Sequence, residues 1–167
     1  MIATIGLDIA KNVFQVHGAD ARGRAVLKKT LRRGQVARFF SALPPCLIGM
    51  EACGSAHFWA RKLEGFGHSV RLMAPQFVKP YVKSQKNDAA DAEAICEAVT
   101  RPSMRFVPIK TVEQQAILAV HRVRSRLVAS RTQLINQIRG LLAEYGIVLP
   151  QHPGQVRSGL PTVLEDA

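Results

Sequence analysis

Alternation of apolar and polar positions near the N-terminus predicts a three-stranded meander. β-Branched and apolar residues alternate over residues 3–9 and again over 13–18, and the short spacer between them favours an antiparallel hairpin. A third strand is predicted over 25–30, after a turn that contains Gly23. The first of these strands ends at an acidic residue, Asp8.

Further along the chain, the pattern changes to helices that alternate with strands. Short helices are predicted over 35–42 and 56–65. Between them, residues 46–50 form a continuous apolar run, which is typical of a strand covered on both faces, and this run ends at Glu51. A further strand is predicted over 69–73. This order of elements predicts a mixed α/β sheet of the ribonuclease H type.

An alanine-rich helix is predicted to begin near residue 88, and it carries two carboxylates on the side of its apolar stripe. Asp88 and Asp91 lie about one turn apart, on the same side as Ala92, Ile95 and Val99. An ionised carboxylate moved out of water costs several kcal/mol unless another group compensates it, and a bound divalent cation would do so. Asp88 alone could instead serve only as the helix cap.

One long helical pattern extends over residues 111–145 without a proline. A helix of about 35 residues would be about 50 Å long, too long for so small a sheet to cover, so we expect it to pair with a helix from this chain or another. Its apolar stripe consists of Val120, Val123, Leu127, Leu134, Ile138 and Leu141. The predicted organisation is an α/β domain of the ribonuclease H type over 1–104, a connector over 105–110, a coiled-coil helix over 111–146 and an irregular tail over 147–167.

The charge of the chain indicates a polyanionic partner. Lys and Arg outnumber Asp and Glu by 23 to 12, which gives a net charge of +11 and favours nucleic acid over a membrane. No long apolar run or signal peptide is found, so a cytoplasmic location is expected. The three cysteines form no metal motif and are expected to be reduced and mostly buried. Candidate nucleic-acid contacts are Lys11, Lys79, Lys83, Lys86, Arg122 and Arg126, although the arginines could equally form a solvated face.

Four acidic residues are expected to meet at one edge of the sheet. If the first and fourth strands are neighbours, their carboxyl ends bring Asp8 and Glu51 together, and a helix laid across those ends adds Asp88 and Asp91. Two Mg²⁺ or Mn²⁺ ions would offset the repulsion among these carboxylates and suit displacement at phosphorus. Simpler roles are open for each: Asp8 could cap a turn, Glu51 could pair with Lys11, and the helix pair could form salt bridges.

Three stretches of the sequence resemble the signature blocks of the DEDD transposases of the insertion sequence 110 family: residues 5–11, 49–54 and 86–92. The resemblance implies a RuvC-like ribonuclease H fold in which Asp8, Glu51, Asp88 and Asp91 are the catalytic, metal-binding set. It also implies DNA strand cleavage and transfer during transposition and a coiled coil used in homo-oligomeric assembly. A structured guide RNA that pairs with donor and target DNA is implied as well.

The chain departs from this family at its C-terminus. Family members continue into a second domain with a serine nucleophile, and no counterpart precedes Ala167, so the chain is expected to be an N-terminal piece that needs the other domain for the full reaction. A sugar-kinase or actin-like ATPase is a second interpretation, but the glycine-rich phosphate loops of that class are not found. A non-catalytic nucleic-acid-binding or dimerisation protein is a third.

Overall fold

The computed structural model describes residues 1–82 and 88–165, with the backbone alone at Asp88. The chain divides into two compact units, Met1–Thr111 and Val112–Ala167. None of the helices within the described residues is both long and apolar enough to cross a membrane.

Within its described residues, the first unit contains a six-stranded sheet and four α-helices. The elements in chain order are β1 (Thr4–Ile9), β2 (Val13–Ala19), β3 (Ala25–Arg32), α1 (Arg33–Ser41), β4 (Leu47–Glu51), α2 (Ala56–Glu64), β5 (Ser69–Met73), α3 (Pro75–Val78), a 3₁₀ turn (Lys79–Tyr81), α4 (Asp88–Ala98) and β6 (Phe106–Val107).

The strands follow the order β3-β2-β1-β4-β5-β6. β1, β2 and β3 pair antiparallel as the predicted meander, whereas β4 joins β1 in parallel and β5 joins β4 in parallel. The predicted mixed sheet of the ribonuclease H type is therefore confirmed, and β1 and β4 are neighbours. β6 was not predicted: it lies in the segment assigned to a connector and adds a two-residue antiparallel edge to β5.

The two faces of the sheet bury different sets of side chains. Ile5 and Leu7 of β1 and Ile48 and Met50 of β4 belong to the core covered by α1 and α2. Since successive side chains of a strand point to opposite faces, the residues between and after them point to the face that α4 covers. A smaller core on this second face includes Ile95 and other apolar residues of α4.

Glycines in the middle strands allow α4 to lie directly on the sheet. A Cβ added to Gly6 would lie 2.0 Å from the Ala92 carbonyl oxygen and 2.4 Å from the Cys96 nitrogen, and one added to Gly49 would lie 2.7 Å from Val99 Cβ. Glycine in a strand marks this kind of close approach of another backbone. The predicted apolar stripe of α4 is confirmed, because Ala92, Ile95 and Val99 are each at most 1% exposed.

The second unit consists of two helices, α5 (Val112–Ala143) and α6 (Pro153–Glu165). The predicted long helix is confirmed, but the irregular tail was wrong for the residues of α6. Val156 of α6 is buried, and a groove between the helices is lined by Leu134, Ile138 and Leu160. Apolar packing against α5 therefore stabilises a helix that the proline at position 161, inside α6, and its glycines would otherwise disfavour.

Candidate functional site

Asp8 and Glu51 lie side by side at the carboxyl ends of two parallel strands. The ladder pairs Gly6 with Gly49 and Leu7 with Met50, so the next residues in register are Asp8 and Glu51. Both follow the strand alternation of the glycines and therefore project to the face covered by α4. Each side chain is half-buried. The structure thus brings two of the four predicted carboxylates to one edge of the sheet.

The beginning of α4 lies at the same end of the sheet. Gly6 contacts the Ala92–Cys96 turn, and Cys96 Sγ lies 3.8 Å from the Thr4 carbonyl oxygen, so α4 runs roughly antiparallel to β1. Asp8 lies two residues beyond Gly6, roughly 7 Å along the strand. Asp88, four residues before Ala92, lies roughly 6 Å along the helix axis in the same direction. The first turn of α4, which carries Asp91, is therefore beside the carboxyl end of β1.

The described side chains do not complete a metal site. Within residues 1–82 and 89–165, no three His, Cys, Asp or Glu side chains form a group that could hold an ion, so Asp91 does not join Asp8 and Glu51 in one. The side chain of Asp88 lies outside the described residues, as do Lys83 and Lys86. Carboxylate oxygens are nevertheless the donors that Mg²⁺ prefers, and the pair at the sheet edge fits that chemistry.

The thiol of Cys53 reports the electrostatics of this edge. Partial loss of hydration among the neighbouring atoms is the main cause that raises the pKa of the Cys53 thiol, and the negative charges of Glu51 and then Asp8 raise it further. Each carboxylate therefore acts on the same thiol, as expected if both lie close to it. Cys53 is exposed, which corrects the expectation of mostly buried thiols, while Cys46 is half-buried and Cys96 buried.

The remaining predicted nucleic-acid contacts are dispersed over the surface. Lys11 lies in the β1–β2 turn and Lys79 in the 3₁₀ turn, and both are exposed. Arg122 and Arg126 are exposed on α5, in the second unit. None of these four side chains forms an ion pair within the part of the chain that the structure describes. They are consequently available to a polyanion.

Arg33 was not predicted as a site residue, and it lines an open cavity together with Lys11 and Cys53. Arg33 follows β3 directly, far along the chain from each acidic motif, and the sequence offered no signal that would connect it with them. Only the pairing of β2 with both β1 and β3 brings the start of α1 back to the β1–β2 turn, where the Arg33 N–H donates to the Asn12 carbonyl at 2.8 Å.

Comparison with known proteins gives one consistent family. Residues 5–147 match the family model for DEDD transposases of the IS110 group, described as "Transposase". A probable family 20 transposase of Pseudomonas aeruginosa is 63% identical over 147 residues, which cover 88% of this chain and 44% of that protein. The transposase for insertion sequence element IS1328 of Yersinia enterocolitica is 46% identical over 165 residues, which cover 99% of this chain and 49% of that protein.

A solved structure of T. thermophilus RuvC in complex with a Holliday junction substrate is also similar, with a TM-score of 0.47 and 10% identity, over 64% of this chain and 100% of that one. The chain spans less than half the length of the two transposases above. Because the family model matches most of the chain, the protein belongs to the IS110 family of DEDD transposases.

Proposed function

We propose that this chain is the catalytic domain of a transposase that cleaves and transfers DNA strands with divalent metal ions. The observation that carries the proposal is the register of β1 and β4, which sets Asp8 and Glu51 side by side on the face covered by α4. Neighbouring carboxylates each disfavour ionisation of the other, and a divalent cation bound by both would offset this repulsion. The family assignment supports the same chemistry.

In this proposal Asp8, Glu51, Asp88 and Asp91 hold two Mg²⁺ or Mn²⁺ ions. Asp8 and Glu51 would form the fixed part of the site, since both lie in the last residues of strands in the middle of the sheet. Asp88 and Asp91 would contribute from the first turn of α4, whose position on Gly6 is set by backbone contact. When bound, the ions would activate the attacking oxygen and stabilise the leaving oxygen of a phosphodiester.

The partner in this proposal is DNA, together with a structured guide RNA. The net charge of +11 supports a polyanion. The exposed cations Lys11, Lys79, Arg122 and Arg126 would supply phosphate contacts on both units. The guide RNA is part of the proposal because of the resemblance of the three signature blocks alone, and no group in the described structure is specific for it.

Assembly through α5 completes the proposal. Val120, Val123 and Leu127 are 68%, 59% and 65% exposed, whereas the stripe further along α5 contributes to the groove beside α6. Large apolar side chains at helical spacing that remain exposed favour pairing with a second α5, as in a coiled coil. A homo-oligomer is therefore expected.

Metal binding can be tested by thermal melting. At a metal concentration ten times Kd, one bound ion adds about 1.4 kcal/mol to the free energy of unfolding. We expect Mg²⁺ and Mn²⁺ to raise Tm, and Asp8→Asn, Glu51→Gln and Asp91→Asn each to reduce the rise. Glu64→Gln, an exposed substitution on α2, is the matched control and should retain the full rise. Equal rises in all variants, or none in the wild-type chain, would refute the metal site.

A non-catalytic role in nucleic-acid binding or dimerisation is the second candidate, and the exposed stripe on α5 favours it. The two functions differ in what the acidic residues do. In a cell-based transposition assay with the complete transposase, Asp8→Asn should abolish movement of the element while leaving binding of the 167-residue chain to DNA intact. Transposition at the wild-type rate would instead favour the non-catalytic role.

A further inference from the structure

An open cavity of about 640 Å³ lies next to the carboxylate edge, between the β1–β2 turn and the beginning of α2. Its lining includes Ile9, which directly follows Asp8, and Cys53, whose thiol is within electrostatic reach of Asp8 and Glu51. The cavity and the carboxylates are therefore neighbours, although no acidic residue among those that the structure describes lines the cavity itself.

Among the described residues, the charged side chains that line this cavity are two cations, Lys11 and Arg33. Both are exposed, and neither forms an ion pair with a carboxylate among the described residues. Two neighbouring cations that lack a counter-charge repel each other and attract an anion.

The guanidinium of Arg33 is held in place from one side. Its Cζ lies 5.4 Å from the centre of the Trp59 ring and 5.9 Å from that of Phe14, and Nη1 donates to the Lys11 carbonyl oxygen at 3.3 Å. An arginine has five N–H donors, so this hydrogen bond leaves most of them for a ligand. A planar cation fixed against aromatic rings loses little side-chain entropy when it binds an anion, which is the property that suits arginine to phosphate recognition.

We propose that Arg33 and Lys11 seat a backbone phosphate of the DNA strand in this cavity, one position along the strand from the phosphate at Asp8 and Glu51. This inference rests on the proposed function. Both are positioning residues: they would hold the strand so that the adjacent phosphodiester reaches the carboxylate edge. In the cavity, the two cations would hold one phosphate without a metal ion. At the carboxylate edge, the next phosphate would then be positioned for metal ions.

Cys53 allows occupancy of the cavity to be measured directly, because its exposed thiol lies in the lining. The 167-residue chain is treated with N-ethylmaleimide in EDTA, with and without a saturating single-stranded DNA oligonucleotide, and alkylation of each cysteine is followed by peptide mass spectrometry. Binding of the same oligonucleotide is followed by fluorescence anisotropy. We expect DNA to slow alkylation of Cys53 relative to the less accessible Cys46.

Removal of the cations should abolish this protection. Arg33→Ala and Lys11→Ala should each weaken DNA binding about fivefold, the upper end for an exposed ion pair. Each should also reduce the slope of log K against log salt by about 0.7. In both variants DNA should no longer slow Cys53 alkylation when the bound fraction is matched to that of the wild-type chain. Arg38→Ala, at an exposed arginine near the end of the same helix, is the charge-matched control and should keep the protection.

The outcomes separate this inference from the proposed function. DNA that binds without protecting Cys53, or protection that survives both substitutions, overturns the phosphate site while leaving the metal-dependent function untouched. No DNA binding at low salt overturns both. Equal protection by inorganic phosphate alone would assign the cavity to a free anion and not to a strand. If Arg33→Ala lowers the thermal stability, the test of the phosphate site rests on Lys11→Ala, since Lys11 lies in an exposed turn.

Discussion

Replacement of Gly6 by alanine tests how closely the fold and the site depend on each other. The new Cβ would lie 2.0 Å from the Ala92 carbonyl oxygen, whereas carbon and oxygen normally approach no closer than about 3.3 Å. The opposing atoms are main chain and cannot rotate away, so α4 must move from the sheet by roughly 1.3 Å, the difference between these two distances.

The energetic cost should be at the upper end for overpacking, about 3 kcal/mol. For a unit of about 100 residues, each kcal/mol lowers Tm by about 4 °C or more, so Tm should fall by about 12 °C. Because α4 also carries Asp88 and Asp91, its displacement should reduce the rise in Tm that Mg²⁺ or Mn²⁺ produces. Thermal melts followed by circular dichroism, with and without metal, measure both effects.

Two other glycines provide graded controls. An added Cβ at Gly34 in α1 meets nothing within 4 Å, so Gly34→Ala should raise stability by about 0.5–1 kcal/mol through helix propensity. At Gly49 the added Cβ would lie 2.7 Å from Val99 Cβ, which is fixed by its own main chain, so Gly49→Ala should also destabilise the fold. The loss should be smaller than for Gly6→Ala, because the overlap at Gly6 is larger. A Gly6→Ala chain with the same Tm as the wild type would refute the close backbone contact and the position of α4 derived from it.

Three further predictions concern charge and assembly. Glu51→Gln should speed alkylation of Cys53 by iodoacetamide at pH 8, because partial loss of hydration first and the Glu51 charge second raise the pKa of that thiol. The pKa of His57 is lowered below 6.5, first by burial and second by the charge of Lys110. The neutral ring therefore stabilises the fold above pH 6.5, and this stability is lost as the pH decreases. Lys110→Met should lessen the loss. Leu127→Lys should lower the mass measured by light scattering, since it places a charge in the exposed stripe of α5.

Each of these has a result that would contradict it. An unchanged rate of Cys53 alkylation after Glu51→Gln would show that the Glu51 carboxylate does not raise the pKa of the thiol. The lysine nitrogen lies 3.1 Å from Nε2 of His57. If Tm depends on acid pH in the same way in the wild type and in Lys110→Met, the charge of Lys110 does not lower the pKa of His57. A wild-type chain that is monomeric at tens of micromolar would contradict assembly through α5, and Arg126→Ala on the same helix should leave the mass unchanged.

The order of strands and helices could be predicted because local patterns determine it. Alternation identified the meander, the apolar run ending at Glu51 identified a strand buried on both faces, and the prolines and glycines marked the breaks. Two acidic residues that end β1 and β4 could be paired in advance, because parallel neighbouring strands bring their carboxyl ends to one edge. The role of Asp91 stays a prediction, since helical spacing defines a face but not how far its side chains reach.

What the tertiary structure decided depends on contacts between residues that are distant in sequence. The helix α6 forms where the sequence favours a break, because packing on α5 outweighs its proline and glycines. In the sequence alone, Gly6 only weakens a strand, whereas in the structure it is the position where the backbone of α4 contacts β1. Arg33 lies beside Lys11 because β2 pairs with both β1 and β3. The sequence by itself thus determined which residues end the strands, while packing decided how α4 lies on the sheet and which cations border the carboxylates.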